Sequence, residues 1–167
     1  MDSEFHVEIA NYANDLSALR AVRESVFVQE QRVAPEIELD HIDPHCQHVL
    51  ARDFQGNPIG TGRLTPQQTI GRLAVLSDWR GKGVGAALLQ AIIDLARSKG
   101  IASLELHSQI EAIGFYERFG FEAEGPEYTE AGILHRTMRR TLEPFGEILR
   151  AAPAATPESR EIPVDSL

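Results

Sequence analysis

The residues best suited to chemistry lie between Arg80 and Gly85, in the order Arg-Gly-Lys-Gly-Val-Gly. Glycines at every second position leave the main chain uncovered, so backbone N–H groups can close on a ligand with no Cβ in between. The run from Ile70 to Leu76 ahead of them is apolar and contains β-branched residues, which suits a buried strand. Behind them Val84, Leu88, Ile92 and Leu95 recur at helical steps and share one face. Strand, glycine turn and helix aim several N–H groups and the positive end of a helix dipole at one point, which makes a site for phosphate or pyrophosphate. Arg80 and Lys82 bring positive charge to the same mouth. A loosened turn before an ordinary helix would explain a lone glycine triplet, but not its flanking elements and cations.

Three loop patterns compete. A nucleotide-triphosphate loop needs Ser or Thr after Gly-Lys to hold magnesium, and Lys82 is followed by Gly83 and Val84. A dinucleotide fingerprint can be written on Gly81, Gly83 and Ala86, with Glu105 further on. Its first glycine should sit where the strand ends, yet Leu76 to Arg80 intervene, and too little chain remains after Glu105 for further βαβ units. The third pattern, Gln/Arg-x-x-Gly-x-Gly/Ala, is met by Arg80, Gly83 and Gly85, and it resembles the acyl-CoA pyrophosphate loop of the GNAT acyltransferase superfamily.

The resemblance extends to GRLAV (Gly71 to Val75), IGFYERFGF (Ile113 to Phe121) and EAGILHRTM (Glu130 to Met138). With VFVQEQRV (Val26 to Val33), the chain resembles the small bacterial ElaA-like branch. The implied fold is α+β in three layers: a mixed, mostly antiparallel sheet of six or seven strands, split in a V between its two central strands and flanked by helices. The implied activity is transfer of an acyl group, acetyl above all, from acyl-CoA to a primary amine by direct attack in a ternary complex. Main-chain groups of Leu73, Ala74 and Val75 would pair with the pantetheine arm like an added strand. Arg80, Gly81, Lys82, Gly83, Val84 and Gly85 would hold the pyrophosphate, while Phe115 and Tyr116 line the acyl end. A catalytically silent acyl-CoA-binding or sensing module is the alternative, and a nucleotide-linked oxidoreductase a distant third.

Tyr116 would stand near the sulfur as general acid, since a thiol of pKa about 8.5 and a phenol of pKa about 10 exchange a proton without a large shift. Its competing role is packing in the aromatic FYERFGF face. Removal of the alkylammonium proton leaves three candidates, Glu105, His107 and His135, beside exit through ordered water. Period-two alternation puts Glu105 and His107 on one face, so both point into the gap or neither does.

The string HIDPHCQH (His41 to His48) holds residue types that zinc uses, but its spacing fits no standard pattern, and no metal is expected. Glu36, Glu38, Asp40 and Asp43 are read as a solvated face that can also attract a cationic acceptor. Arg23, Arg63 and Arg72 offer the opposite, docking of an acidic acceptor.

The elements that must position these groups fit one domain, residues 1–143, within a chain of 167. Phe5, Val7 and Ile9 alternate as a strand, and Asn14 is placed to cap a helix carrying Leu16, Leu19, Val22, Val26 and Phe27. Glu30 to His45 is read as an ordered loop or short helix. A hairpin joins Gln47–Arg52 to Ile59–Leu64, and strands follow at Ile70 and at Ser103–His107. A short helix runs from Glu111 to Phe119, and two last strands are separated by the polar segment from Pro126 to Gly132. Residues 144–167, rich in Pro and Ala, are read as an irregular or partner-packed tail. The net charge of −9 argues against nucleic acid or an anionic membrane as partner. No apolar run reaches the ~20 residues of a membrane span, the acidic start lacks signal-peptide features, and a lone Cys46 suits a reducing cytoplasm. Exposed strand edges allow a homodimer.

Overall fold

A computed structural model describes residues 4–38 and 40–143, with the side chains of Glu36 and Ile37 outside what is described. The tail expected at 144–167 also lies outside the described residues. Seven strands form one sheet: β1 (Phe5–Ile9), β2 (Gln47–Asp53), β3 (Pro58–Leu64), β4 (Thr69–Val75), β5 (Ser103–Gln109), β6 (Glu122–Glu130) and β7 (Ile133–Thr141). Their order is β1-β2-β3-β4-β5-β7-β6. Every neighbouring pair is antiparallel except β4–β5. Those two run parallel and are in register only at Thr69↔Glu105 and Ile70↔Leu106. From Gly71 onward the strands separate, so the expected V-shaped split is present, and β4 faces it with an edge that β5 does not pair.

Helices cover both faces. α3 (Val84–Ser98) and α4 (Ile113–Glu117) sit on the face that buries Leu104, Leu106 and Met138, in one continuous core with Leu88, Leu89, Ile92, Phe115 and Tyr116. Two glycines of β3 let α3 approach: a Cβ at Gly60 would stand 2.9 Å from Leu88 Cδ1, and one at Gly62 2.9 Å from Ile92 Cδ1. The opposite face carries α1 (Tyr12–Arg23), whose Val22, with Val26 beyond it, packs on Ala74 of β4. The cap of α1 is Asn11, which accepts from the Asn14 N–H at 3.1 Å, so Asn14 lies inside the helix it was expected to open. Past Arg23 the helix widens into π-type turns over Glu24–Glu30, closed by Gln31 N–H to Val26 O at 2.9 Å. The connection that follows holds α2 (Pro35–Glu38) and a 3-10 turn at Asp43–His45.

The segment from Pro126 to Gly132 departs from expectation. β6 continues through Pro126 to Glu130, with an irregularity between Glu124 and Tyr128, and only Ala131 and Gly132 form the turn. The missing amide of Pro126 falls where the ladder is already interrupted, which is how a strand tolerates proline. No described helix is long and apolar enough to cross a membrane.

Candidate active site

The glycine turn joins β4 to α3, the strand–turn–helix arrangement read from the sequence. Gly81 (φ +76°) and Gly83 (φ +85°) occupy left-handed backbone that a side chain would strain, and a Cβ at either would point into open space. Gly83 is the N-cap of α3, so the dipole end of a 15-residue helix opens onto this loop. Lys82 Nζ lies 5.0 Å above the Trp79 ring. In the Arg80 guanidinium, Nε donates to Val75 O at 3.1 Å, and Nη1 and Nη2 grip Glu30 at 2.6 and 2.7 Å. That bidentate pair holds the Glu30 carboxyl below its usual range and ties the π-type segment to the loop.

β4 is bulged beside the split. Thr61 pairs with Ala74 and Arg63 with Gly71, so Arg72 and Leu73 together oppose Gly62. Arg72 has φ +50°, a conformation that costs a non-glycine residue about 1–2 kcal/mol. Its side chain offsets that cost by donating to Glu38 O at 2.8 Å and to Asp40 Oδ2 at 3.2 Å.

A cavity of about 440 Å³ opens at the bulge. Phe27, Gln31 and Val33 wall it on one side, β4 and β5 on another, and β7 contributes Ile133 and His135. Tyr116 reaches the same cavity from α4, in the layer across the sheet. The Tyr116 ring is 4% exposed and packs edge-on against Phe115 and Phe121. Burial pushes its phenol well above the usual range, so the proton stays on at any working pH.

His107 and His135 both line the cavity, whereas Glu105 stands behind His107. Glu105 and His107 share a face, as alternation required. His107 Nδ1 lies 3.2 Å from Glu130 Oε1 and Nε2 lies 3.1 Å from Glu105 Oε2. The Glu130 hydrogen bond, against the opposing effect of burial, raises the imidazole pKa. Glu105 also accepts from Arg139 at 2.6 Å. His135 is buried, with Nδ1 2.7 Å from Ile133 O and its ring stacked on Tyr128. Glu130 and Tyr128 are the site residues that the sequence reading missed as such. Tyr128 was masked because Pro126 made its surroundings look like a turn.

The charges at the cavity floor, with Glu38, Arg63 and Arg72 in its lining, pair with one another. Arg23, fully buried, holds Glu38 and Asp43; Arg63 holds Asp40 and Asp43; Arg72 holds Asp40 and the Glu38 carbonyl. Three guanidinium groups meet three carboxylates. Each set is paired with the other, although Glu38, Arg63 and Arg72 also line the cavity, and the expectation of a solvated acidic face fails for Glu38 and Asp43, which are buried. His48, at the start of β2, donates from Nε2 to Asp43 O at 2.9 Å, and burial lowers its pKa. Among the described residues no three His, Cys, Asp or Glu side chains converge as metal ligands.

Comparison with known proteins agrees with this geometry. The family profile of the acetyltransferase (GNAT) domain matches residues 13–142. The Bacillus subtilis protein YyaT is 31% identical over 134 residues, covering 77% of this chain and 90% of that one. The crystal structure of an acyl-CoA N-acyltransferase from Pseudomonas aeruginosa superposes with a TM-score of 0.73 at 29% identity, over 81% of this chain and 99% of the other. Escherichia coli ElaA superposes with a TM-score of 0.73 at 25% identity, again over 81% and 99%. The chain belongs to the GNAT acetyltransferase family, whose members move acyl groups from acyl-CoA.

Proposed function

We propose that the protein transfers an acetyl group from acetyl-CoA to a primary amine by direct attack within a ternary complex. The supporting observation is the cavity at the split, which takes Tyr116 from one face of the sheet and His107 and His135 from the other. An acyl group threaded through that opening is offered to an acid on its leaving-group side and to an amine on its attacking side. Main-chain groups of Leu73, Ala74 and Val75, on the β4 edge that β5 leaves, pair with the pantetheine arm. The Gly81–Gly85 backbone and the start of α3 receive the pyrophosphate. Phe115 packs behind Tyr116 at the acyl end. Arg80 acts by holding the loop to Glu30 and Val75, and Lys82 supplies the nearby positive charge.

Attack on the thioester places charge on the carbonyl oxygen, and an amide of the bulged Leu73 segment stabilises it. As the C–S bond breaks, the Tyr116 hydroxyl donates to sulfur. Burial makes the phenolate costly, but the thiolate in the same low-dielectric space is costly too, so the transfer stays balanced.

The test is thiol release from acetyl-CoA across a panel of amines, amino acids, polyamines and peptides, paired with calorimetric binding of acetyl-CoA. Turnover with one or more amines is expected. Binding without release across the panel would favour a silent acyl-CoA-binding module, and no binding would end the proposal.

A further inference from the structure

We propose that His135 takes the proton from the incoming ammonium group and that Tyr128 is its positioning residue; the inference rests on the acyltransfer reading above. The three sequence candidates for this role are separated by their hydrogen-bond partners. Glu105 is engaged twice, with Arg139 Nη2 at 2.6 Å and His107 Nε2 at 3.1 Å, and it stays outside the cavity lining. Both ring nitrogens of His107 face carboxylate oxygens, which only accept. Making both bonds requires an N–H on each nitrogen, so the two carboxylates favour the imidazolium form of His107, which has no lone pair to offer, and taking up the base role would cost the ring one of them.

His135 is arranged otherwise. A carbonyl also only accepts, so the 2.7 Å contact with Ile133 O puts the proton of the neutral ring on Nδ1. Nε2 then carries the lone pair, and among the described residues it makes no hydrogen bond. The ring is 7% exposed and lines the cavity that Tyr116 also lines. Tyr128 stacks on it with centroids 6.0 Å apart and planes at 27°, while meeting His107 edge-on at 5.9 Å. That contact fixes the imidazole plane about its Nδ1–H bond.

The strand register places His135 on the open side of the split. β4 and β5 last pair at Ile70↔Leu106, and His135 stands opposite Gln109, three residues further along β5. At about 3.3 Å per residue this is roughly 10 Å into the opening. The titratable and charged groups linked to it are Tyr128, stacked on the ring, and Glu130, both from β6; His107 of β5 and Arg72 of β4 act on the same Glu130. A positive charge arising on His135 acts on Glu130, so the imidazolium formed by proton transfer has a carboxylate to stabilise it.

The protons balance as follows. R–NH3⁺ gives one proton to Nε2, and the freed lone pair forms the C–N bond while the carbonyl pair moves to oxygen. The oxyanion collapses, the C–S bond breaks, and Tyr116 protonates the sulfur. The second amine proton, on the R–NH2⁺ of the adduct, restores Tyr116. The His135 proton goes to solvent, leaving amide, CoA thiol and one released H⁺.

Two measurements test this. Long-range ¹H–¹⁵N spectra of histidine-labelled protein at neutral pH should show His107 protonated on both nitrogens, and neutral His135 bare at Nε2; a His107 with one bare nitrogen there removes the ground for preferring His135. A His135 bare at Nδ1 overturns the assignment. The second measurement is kcat/KM against pH for acetyl-CoA with benzylamine, ethanolamine, putrescine and lysine. His135→Gln should lose about 100-fold or more at neutral pH, and the loss should shrink as pH approaches the amine's own pKa near 10. Acetyl-CoA binding should stay within twofold. Tyr128→Leu should lose about tenfold while Tyr128→Phe, which keeps the ring, restores most of the rate. A His135→Gln deficit that is constant with pH, or under twofold, overturns the role of His135 while leaving acyltransfer standing. A wild type inert toward every amine overturns both.

Discussion

Replacing Asp43 by Asn should cost about 3 kcal/mol at pH 7, because this carboxylate joins two buried arginines under the candidate active site. Its side chain is fully buried and accepts from Arg23 Nη1 at 3.0 Å on each oxygen, from Arg63 Nη1 at 2.7 Å and from the Tyr12 hydroxyl at 2.8 Å. Burial alone would raise its pKa, but the donors outweigh it and hold the group at about 2 against an ordinary 3.8. At 1.36 kcal/mol per pH unit, that difference is worth roughly 2 kcal/mol. Asn adds to the loss by turning an NH2 toward guanidinium donors. For a chain of this size the melting temperature should fall by about 10 °C.

The pH dependence carries the sharper test. A carboxyl whose folded pKa is depressed stabilises fully above its unfolded pKa and loses that contribution as pH falls through the folded value. The gap between wild type and Asp43→Asn should therefore hold from pH 7 to about 5. By pH 3 the linked part should be down by about half, and most of it should be gone by pH 2. Urea unfolding followed by circular dichroism at pH 7, 5, 4 and 3 reads it directly. A gap below 0.5 kcal/mol at pH 7, or one that stays flat on acidification, would refute the idea that charge on Asp43 pins this network.

Three further outcomes are expected. Tyr116→Phe should lower kcat by roughly 100-fold and leave acetyl-CoA affinity within twofold, as steady-state kinetics and calorimetry would show. Gly83→Ala should cost about 1 kcal/mol of stability through its positive φ, measured by urea unfolding. Its added Cβ points into open space in the protein, so acetyl-CoA affinity should fall by more than that strain accounts for. Glu30→Gln should change the melting temperature little, since the Arg80–Glu30 pair is partly exposed, yet weaken acetyl-CoA binding two- to fivefold by releasing the loop.

The glycine loop was legible because its requirement is local: positive φ and missing side chains are written as Gly81 and Gly83 themselves. The strands and α3 were legible for a similar reason, since their apolar spacing is contained within each element. What stayed hidden depends on residues far apart in sequence. Asn11 and Asn14 are both capping residues, and which one caps is settled by which accepts from the other. The π-type turns at Glu24–Glu30 carry the same apolar spacing that an α-helix would. Arg72 gave no sign of its positive φ, because that conformation is held by Glu38 and Asp40, more than thirty residues earlier.

The cancellation of charge beneath the cavity changes what can select an acceptor. Read along the chain, the acids near residue 40 and the arginines at 23, 63 and 72 seemed to call for opposite substrates. In the fold they satisfy one another, and their shared task is to pin the connection after α1 against β3 and β4. On the proposed function, recognition would fall mainly to Phe27 and Val33, to the glutamines Gln31 and Gln109, which hydrogen-bond at 3.0 Å, and to the His107–Glu130 rim, with Glu38, Arg63 and Arg72 lining the cavity as paired charges. That rim sets the His107 ring between Glu130 in front and Glu105 behind, and Arg139 takes part of the charge of Glu105. A cation approaching Glu130 meets a partner already shared with His107. A wall of this kind discriminates by shape and hydrogen bonding more than by net charge, so acceptors differing in apolar side-chain size should separate more widely in kcat/KM than acceptors differing only in a remote charge.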